Sequence, residues 1–399
     1  MLKDRIPDIQ EILVEMGVDG WFFSCFQQSD PVALDLLELG GDRLVTRRCY
    51  YLIPAQGEPR RLMHRLEPEM LAHLPGSESH YLTWAEHREG LGALMTGCKT
   101  VAAQYSPLNA LPTVSRLDAG TAELLAGFGV ELASSADLIQ KFAAVWSDEQ
   151  LASHRRASTH LHQIVLEAFD HVADALRSGD EIQEYVVQKF ILEQFDRRGM
   201  WTESPPIVAV NEHSADPHYQ PGPNLSRAIR KGDFLLIDLW AKEKPAVSGA
   251  EAIYGDICWC GVCRAEPTER EVELFSTAVN AREAGWQLIA NNYPRTTLRG
   301  FEVDDATRKV IEVAGFGEWF IHRTGHSIGT QDHGQGANMD NLETHDTRPL
   351  EPMTGFSIEP GIYLPGEFGV RTEINVALTP EAPEITGGTP QKELLRLLA

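Results

Sequence analysis

The sequence predicts an α+β protein in which a smaller N-terminal α/β domain precedes a larger catalytic domain. Three observations predict it. The 399 residues exceed what one hydrophobic core organises, since cores stop growing at roughly 250–300 residues. The first part of the chain, up to about Phe142, mixes short apolar runs with helical patterns. The second part carries its acidic and histidine residues on strand-like runs and beside glycine turns.

Taken in order, Gly20-Trp21-Phe22-Phe23-Ser24 reads as a strand after a first helix. Residues 48–53 and 60–64 flank the turn signal Ala55-Gln56-Gly57-Glu58-Pro59 and predict a hairpin. Residues 100–105 form a further strand and 119–126 a helix. Ser147-Asp148-Glu149-Gln150 has the form of a capping box, a Ser followed three residues on by Gln. The boundary is placed there, giving domains 1–146 and 147–399. Beyond it Ile164, Val165, Ala168, Phe169, Val172 and Leu176 recur at helical spacing until Gly179, a C′ residue. A second helix covers 181–198. Strands are predicted at 207–210, 234–239 and 253–258, helices at 268–291 and 301–313, and final strands at 356–359 and 369–378.

The 35 Lys+Arg against 58 Asp+Glu give a net charge of -23. Such a field repels phosphate backbones and anionic lipid, so neither nucleic acid nor a membrane surface is expected as a partner. Charges interrupt Met1-Leu2-Lys3-Asp4-Arg5-Ile6-Pro7, which lacks the apolar core of a secretory signal, and no window approaches a membrane span. Cys25, Cys49, Cys98, Cys258, Cys260 and Cys263 do not suggest a disulfide framework in so long a chain, and a cytoplasmic location is expected.

The chemistry gathers in the second domain. Asp238 lies within Phe234-Leu235-Leu236-Ile237-Asp238-Leu239, Asp256 within Ile253-Tyr254-Gly255-Asp256-Ile257, Glu359 within Phe356-Ser357-Ile358-Glu359-Pro360-Gly361, and Glu373 within Gly369-Val370-Arg371-Thr372-Glu373-Ile374. Each taken alone reads more readily as an edge-strand surface acid or an N-cap. Together they are carboxylates in apolar strands, costly to bury without a cation, and only Arg371 is near in sequence. A pair of divalent ions would satisfy all of them; hard oxygen ligands suit Mn²⁺, Co²⁺ or Zn²⁺. His326, between the glycines of Arg323-Thr324-Gly325-His326-Ser327-Ile328-Gly329, adds a nitrogen donor where backbone approaches closely.

These segments resemble, in order, the five ligand motifs of the creatinase/prolidase/methionine-aminopeptidase superfamily, the pita-bread metallopeptidases. The resemblance spans essentially the whole chain, because the proline-specific branch also carries an N-terminal α/β domain of this size. It implies that Asp256 and Glu373 bridge two metals, that Asp238 chelates one, and that His326 and Glu359 complete the other. It implies Glu359 as proton acceptor and donor, and His333 in Gln331-Asp332-His333-Gly334 as the oxyanion-stabilising histidine. His218 in Asp216-Pro217-His218-Tyr219 matches the His-Tyr pair near the scissile bond, and His322 is a candidate for lining the pocket beyond it. Relatives are commonly homodimers.

Two departures stand out. Residues 241–252 look like an insertion at the hairpin tip between Asp238 and Asp256, tolerable in loop entropy. Cys258 and Trp259 stand where the family often has Thr-Arg, which leaves support of Asp256 open. Cys258, Cys260 and Cys263 lack a clear fourth ligand and read as small buried hydrophobes rather than a metal cluster. The two-domain layout favours hydrolysis of an Xaa-Pro bond, with a dipeptidase ahead of an aminopeptidase acting on longer peptides. Arg371 and Arg348 are candidates for holding a dipeptide carboxylate, although Arg371 could equally hold a buried acid. A metal-free creatinase-like amidinohydrolase and an inactive binding homologue are the remaining alternatives; retention of all five ligands argues against both.

Overall fold

Secondary structure follows the apolar pattern closely in the computed structural model, which describes residues 2–39, 45–244 and 251–399. Two units separate, Met1–Ala143 and Ala144–Ala399. The split falls ahead of the capping box because Trp146 donates its backbone N–H to the Met353 carbonyl (2.6 Å) and packs with Leu151, Ile253, Tyr254 and Ile328. The chain thus enters its second core before the helix begins.

In the first unit six strands form one sheet, in the order Ser77–Tyr81, Arg60–His64, Cys49–Pro54, Gly20–Cys25, Thr100–Ala103 and Glu131–Ser134. The expected hairpin is present, with Tyr50 opposite Leu62 and Tyr51 opposite Arg61. Both faces of the central strands are covered, which explains their nearly continuous apolar sequence. Cys49, Tyr51 and Ile53 join Trp21 and Phe23 in one core, while Tyr50 and Leu52 join Phe22 in the other.

In the second unit the capping box is formed. Ser147 accepts from the Gln150 amide and Gln150 answers the Ser147 amide, opening the helix Asp148–Ser178, which ends at Gly179 with φ 81°. Its apolar stripe covers the odd-numbered side chains Leu235, Ile237 and Leu239 of the strand Phe234–Glu243, together with Ile257 and Trp259 of the strand Gly255–Val262. The even-numbered side chains face the other way, where Leu236, Cys258 and Cys260 pack against Leu274, Phe275 and Ala278 of the helix Glu269–Asn292. The two strands pair antiparallel with Asp238 opposite Cys258 and Trp240 opposite Asp256.

Several elements differ from the pattern-based expectation. Residues 182–183 pair with Ala228–Ile229 before the helix Glu184–Arg197 starts. Residues 253 and 254 precede the second hairpin strand, because their amides bond Ser153 Oγ and the Gly329 carbonyl. The strand expected over 369–378 is two strands, Gly369–Arg371 and Ile374–Leu378, interrupted at Thr372-Glu373. The first pairs with Gly361–Tyr363 and the second with Thr354–Ile358, so the opposite chain is interrupted at Glu359-Pro360. Pro360 has no N–H to continue the ladder. Both breaks therefore fall on a glutamate of the expected ligand set. Part of the expected insertion, residues 245–250, lies outside the described residues. Among the described residues no helix is long and apolar enough to cross a membrane.

Candidate metal centre

Strand parity places Asp238 and Asp256 on the same side of the hairpin, the even-numbered side. The paired break brings Glu359 and Glu373 to the same region from the second sheet. His326 enters on the turn before the strand Ser327–Ile328. A Cβ added at Gly325 would lie 2.0 Å from the Ser357 carbonyl oxygen, so only glycine permits this approach. Ser357 then fixes the histidine from both directions. Its Oγ accepts from the His326 amide (3.0 Å), and its amide donates to the His326 carbonyl (2.9 Å).

One carboxylate oxygen from each of Asp238, Asp256 and Glu373 lies within 4.8 Å of the others. His326 Nε2 is 3.4 Å from Asp256 Oδ2 and 3.4 Å from Glu359 Oε1. Its Nδ1 donates to the Ser327 carbonyl at 3.1 Å, which turns Nε2 towards the acids. Oδ1 of Asp238, Oδ1 of Asp256 and Oε1 of Glu373 are buried with no hydrogen-bond partner. Burial, reinforced by neighbouring acids, raises Asp256 from its ordinary value, Glu373 well above it, and Asp238 to about 7 despite Arg371. Burial opposes protonation of His326, yet Asp256, Glu359 and Asp332 carry it up to about 9. Buried carboxylate oxygens without donors, whose ionised form needs a cation beside it, and an imidazole turned towards them form a donor set that fits divalent cations.

The centre opens into a cavity of about 540 Å³ lined by Ile207, His218, Trp240, Asp332, His333 and Glu359, among others. His333 and His218 of the expected set therefore face it. His333 Nδ1 lies 3.4 Å from Arg323 Nη2 and accepts from it, which leaves Nε2–H as a donor. The charges of His326 and Arg323 hold this imidazole neutral, well below its ordinary pKa.

His322 is not brought to the cavity lining. Its Nδ1 bonds the Arg323 carbonyl at 2.7 Å and its Nε2 the Tyr363 hydroxyl at 2.8 Å, and burial lowers its pKa to about 4. Arg371 is paired with the buried Asp238 and donates to Tyr363 Oη. It therefore holds an acid, and it also lines the cavity, with Nε buried and partnerless. Arg348 lies away from the cavity: its Nε and Nη2 are spent on Asp346 and its Nη1 on the Gln335 carbonyl.

Two residues escape the sequence reading. Asn375 clamps the backbone of Asp256, accepting from its amide (2.9 Å) and donating to its carbonyl. This supplies the support that Cys258 does not. Asp332 lines the cavity with a buried, partnerless Oδ1; its place beside His333 in a glycine-bounded turn was the available signal. Cys258 and Cys260 lie in one core and Cys263 in another, all three free, as expected for small hydrophobes.

An α+β scaffold whose two sheets converge on buried carboxylates and a histidine is that of a protein able to hold metal ions. Residues 156–380 match metallopeptidase family M24. Over 365 residues the chain is 25% identical to the probable dipeptidase PepE of Mycobacterium tuberculosis, covering 90% of this chain and 88% of that one. The structure resembles dipeptidase PepE from Mycobacterium ulcerans with a TM-score of 0.73 at 22% identity, covering 100% of this chain and 98% of that one. It resembles the prolidase from Thermococcus sibiricus with a TM-score of 0.66 at 21% identity, covering 99% of each chain. The chain belongs to metallopeptidase family M24, a family of peptide-hydrolysing enzymes that use divalent metal ions. Its fold is the expected pita-bread fold with an N-terminal α/β domain.

Proposed function

We propose that this chain hydrolyses the Xaa-Pro bond of dipeptides at a binuclear divalent-metal centre. The observation that carries the proposal is the convergence of three partnerless carboxylate oxygens with His326 and Glu359 beneath one cavity. Resemblance to a probable dipeptidase and to a prolidase of nearly equal length supports it. In this reading Asp256 and Glu373 would be shared between the ions, Asp238 would help hold one, and His326 and Glu359 would help hold the other. When bound, the cations supply a water that ionises near neutral pH and polarise the scissile carbonyl. Manganese is the first choice for so oxygen-rich a set, with cobalt or zinc as alternatives.

The chain's own residues do the rest. Burial would raise Glu359, but His326, His322 and Arg371 hold it below the usual range, so it is ionised and ready to take a proton. Ser357 Oγ donates to Glu359 Oε1 at 3.0 Å, leaving Oε2 for that task. His333 offers Nε2–H to the oxygen that becomes negative in the transition state. His218 borders the peptide. Arg371, which lines the cavity with a partnerless Nε, is the expected arginine left for the dipeptide carboxylate, because Arg348 is spent on Asp346. We also expect a cytoplasmic homodimer, the dimer measurable by light scattering.

A second reading, an aminopeptidase acting on longer peptides, is favoured by one observation: Arg348 is committed to Asp346 and does not reach the cavity. An assay of Ala-Pro, Ala-Pro-Ala and creatine, with Mn²⁺ and with chelator, separates the readings. Turnover of Ala-Pro alone, lost in chelator, is the expected result. Efficient release of alanine from Ala-Pro-Ala would replace dipeptidase by aminopeptidase, and chelator-resistant cleavage of creatine would overturn both.

A further inference from the structure

Asp332 has no role among the ligands or substrate contacts assigned above, yet it faces the same centre. It lines the cavity with Asp256, His326 and Glu359. Its Oδ1 is buried without a hydrogen-bond partner, the same condition as the inner oxygens of Asp238, Asp256 and Glu373. The side chain is a quarter exposed, with Oδ2 3.9 Å from His333 Nε2, but an inner oxygen with no donor beside other acids favours positive charge there.

The geometry supplies a place for that charge. One donor atom from each of His326, Asp332 and His333 lies within 4.8 Å of the others. Two ligands on opposite sides of one ion stand roughly 4.4 Å apart at bonds of about 2.2 Å. His333 accepts from Arg323 at Nδ1 and presents Nε2 as a donor, which leaves His326 and Asp332 as the pair able to share an ion. The turn between them is pinned. Lys242 Nζ donates to the Thr330 carbonyl (2.6 Å), the Tyr254 amide to the Gly329 carbonyl (3.0 Å), and the Gly334 amide to the Ser327 carbonyl (2.6 Å).

The geometry points to Asp332 as a fifth carboxylate of the metal centre, joining His326 on the same ion. This rests on the binuclear reading above. Added to Asp238, Asp256, Glu359 and Glu373, it leaves the ligand set more negative than two divalent ions are positive. More ligand charge tightens the hold on that ion and favours a hard, oxygen-preferring cation.

The test is metal binding, read apart from turnover. The full chain is stripped with chelator and titrated with Mn²⁺ by calorimetry and electron paramagnetic resonance. Wild type is compared with Asp332→Asn, Asp332→Ser and His326→Ala. Wild type should bind two ions. Each Asp332 variant should lose about tenfold or more in affinity at one step and keep the other. Asp332→Asn placed on His326→Ala should cost less than it does alone, because both act on one ion. Unchanged Mn²⁺ affinity in both Asp332 variants, with wild-type circular dichroism, overturns the assignment. Unchanged affinity with a raised KM also overturns it and moves Asp332 to the substrate's ammonium group. A wild-type chain that binds no Mn²⁺ overturns the binuclear reading itself, a failure visible before any variant is made.

Discussion

Glu359 is ionised, bonded on one oxygen by Ser357, and 3.4 Å from His326. Exchanging it for glutamine keeps the shape and removes the proton acceptor. Glu359→Gln should lower kcat by at least about 100-fold, with the far-ultraviolet circular dichroism of wild type. His333 acts at a different moment, when charge appears on the substrate oxygen. His333→Ala should lower kcat by about 100-fold or more while KM moves little; a change confined to KM would remove it from the transition state. The five ligand candidates were legible because each interrupts an apolar run or sits between glycines. Asp332 was not, since an acid in a polar turn looks solvated until the fold shields it. Arg348 misled for the opposite reason. Its partner Asp346 stands two positions away, and nothing in the pattern told a recognition guanidinium from a locally paired one.

The elements that hold these residues depend on contacts of different range. Capping boxes at Ser147 and Thr268 are local, and both helices begin where the sequence places them. The strand break at Thr372-Glu373 is not local: its own residues suit a continuous strand, and the interruption comes from Pro360 on the chain opposite. The turn of residues 329–334 likewise depends on Lys242, far away in sequence. Lys242 is buried, bonded to Glu251 Oε1 (2.7 Å) and the Thr330 carbonyl, and lies over the rings of Tyr254 and Trp201 at 5.4 and 5.5 Å. Lys242→Met should cost about 1–3 kcal/mol in urea unfolding, the penalty of an unanswered buried carbonyl. It should also lower kcat by loosening the turn that carries His333. Full activity in a clearly destabilised variant would separate the turn from catalysis.

For the whole molecule, stability and site chemistry are linked through two kinds of ligand, protons and metal. Chelator should lower the thermal midpoint, and excess Mn²⁺ should restore it, because an ion bound only by the folded state stabilises by mass action. His154 gives the pH dependence. Burial lowers its pKa to about 4, while its nitrogens bond the Tyr254 carbonyl (2.6 Å) and Thr386 Oγ1 (2.8 Å). The unfolded chain takes up this proton below about 6.5 and the folded chain only near 4. Its contribution is therefore lost as pH falls through that window, at up to about 1.4 kcal/mol per pH unit. His154→Gln should flatten the pH dependence of urea unfolding there; an unaltered slope would exonerate this residue. The paired break at Glu359 and Glu373 has a larger consequence. A one-residue slip between the strands flanking it would put the two carboxylates on opposite faces, since side chains alternate. Under the proposed binuclear reading, a chain folded with that error would offer a broken ligand set, so added Mn²⁺ should favour the correctly aligned sheet.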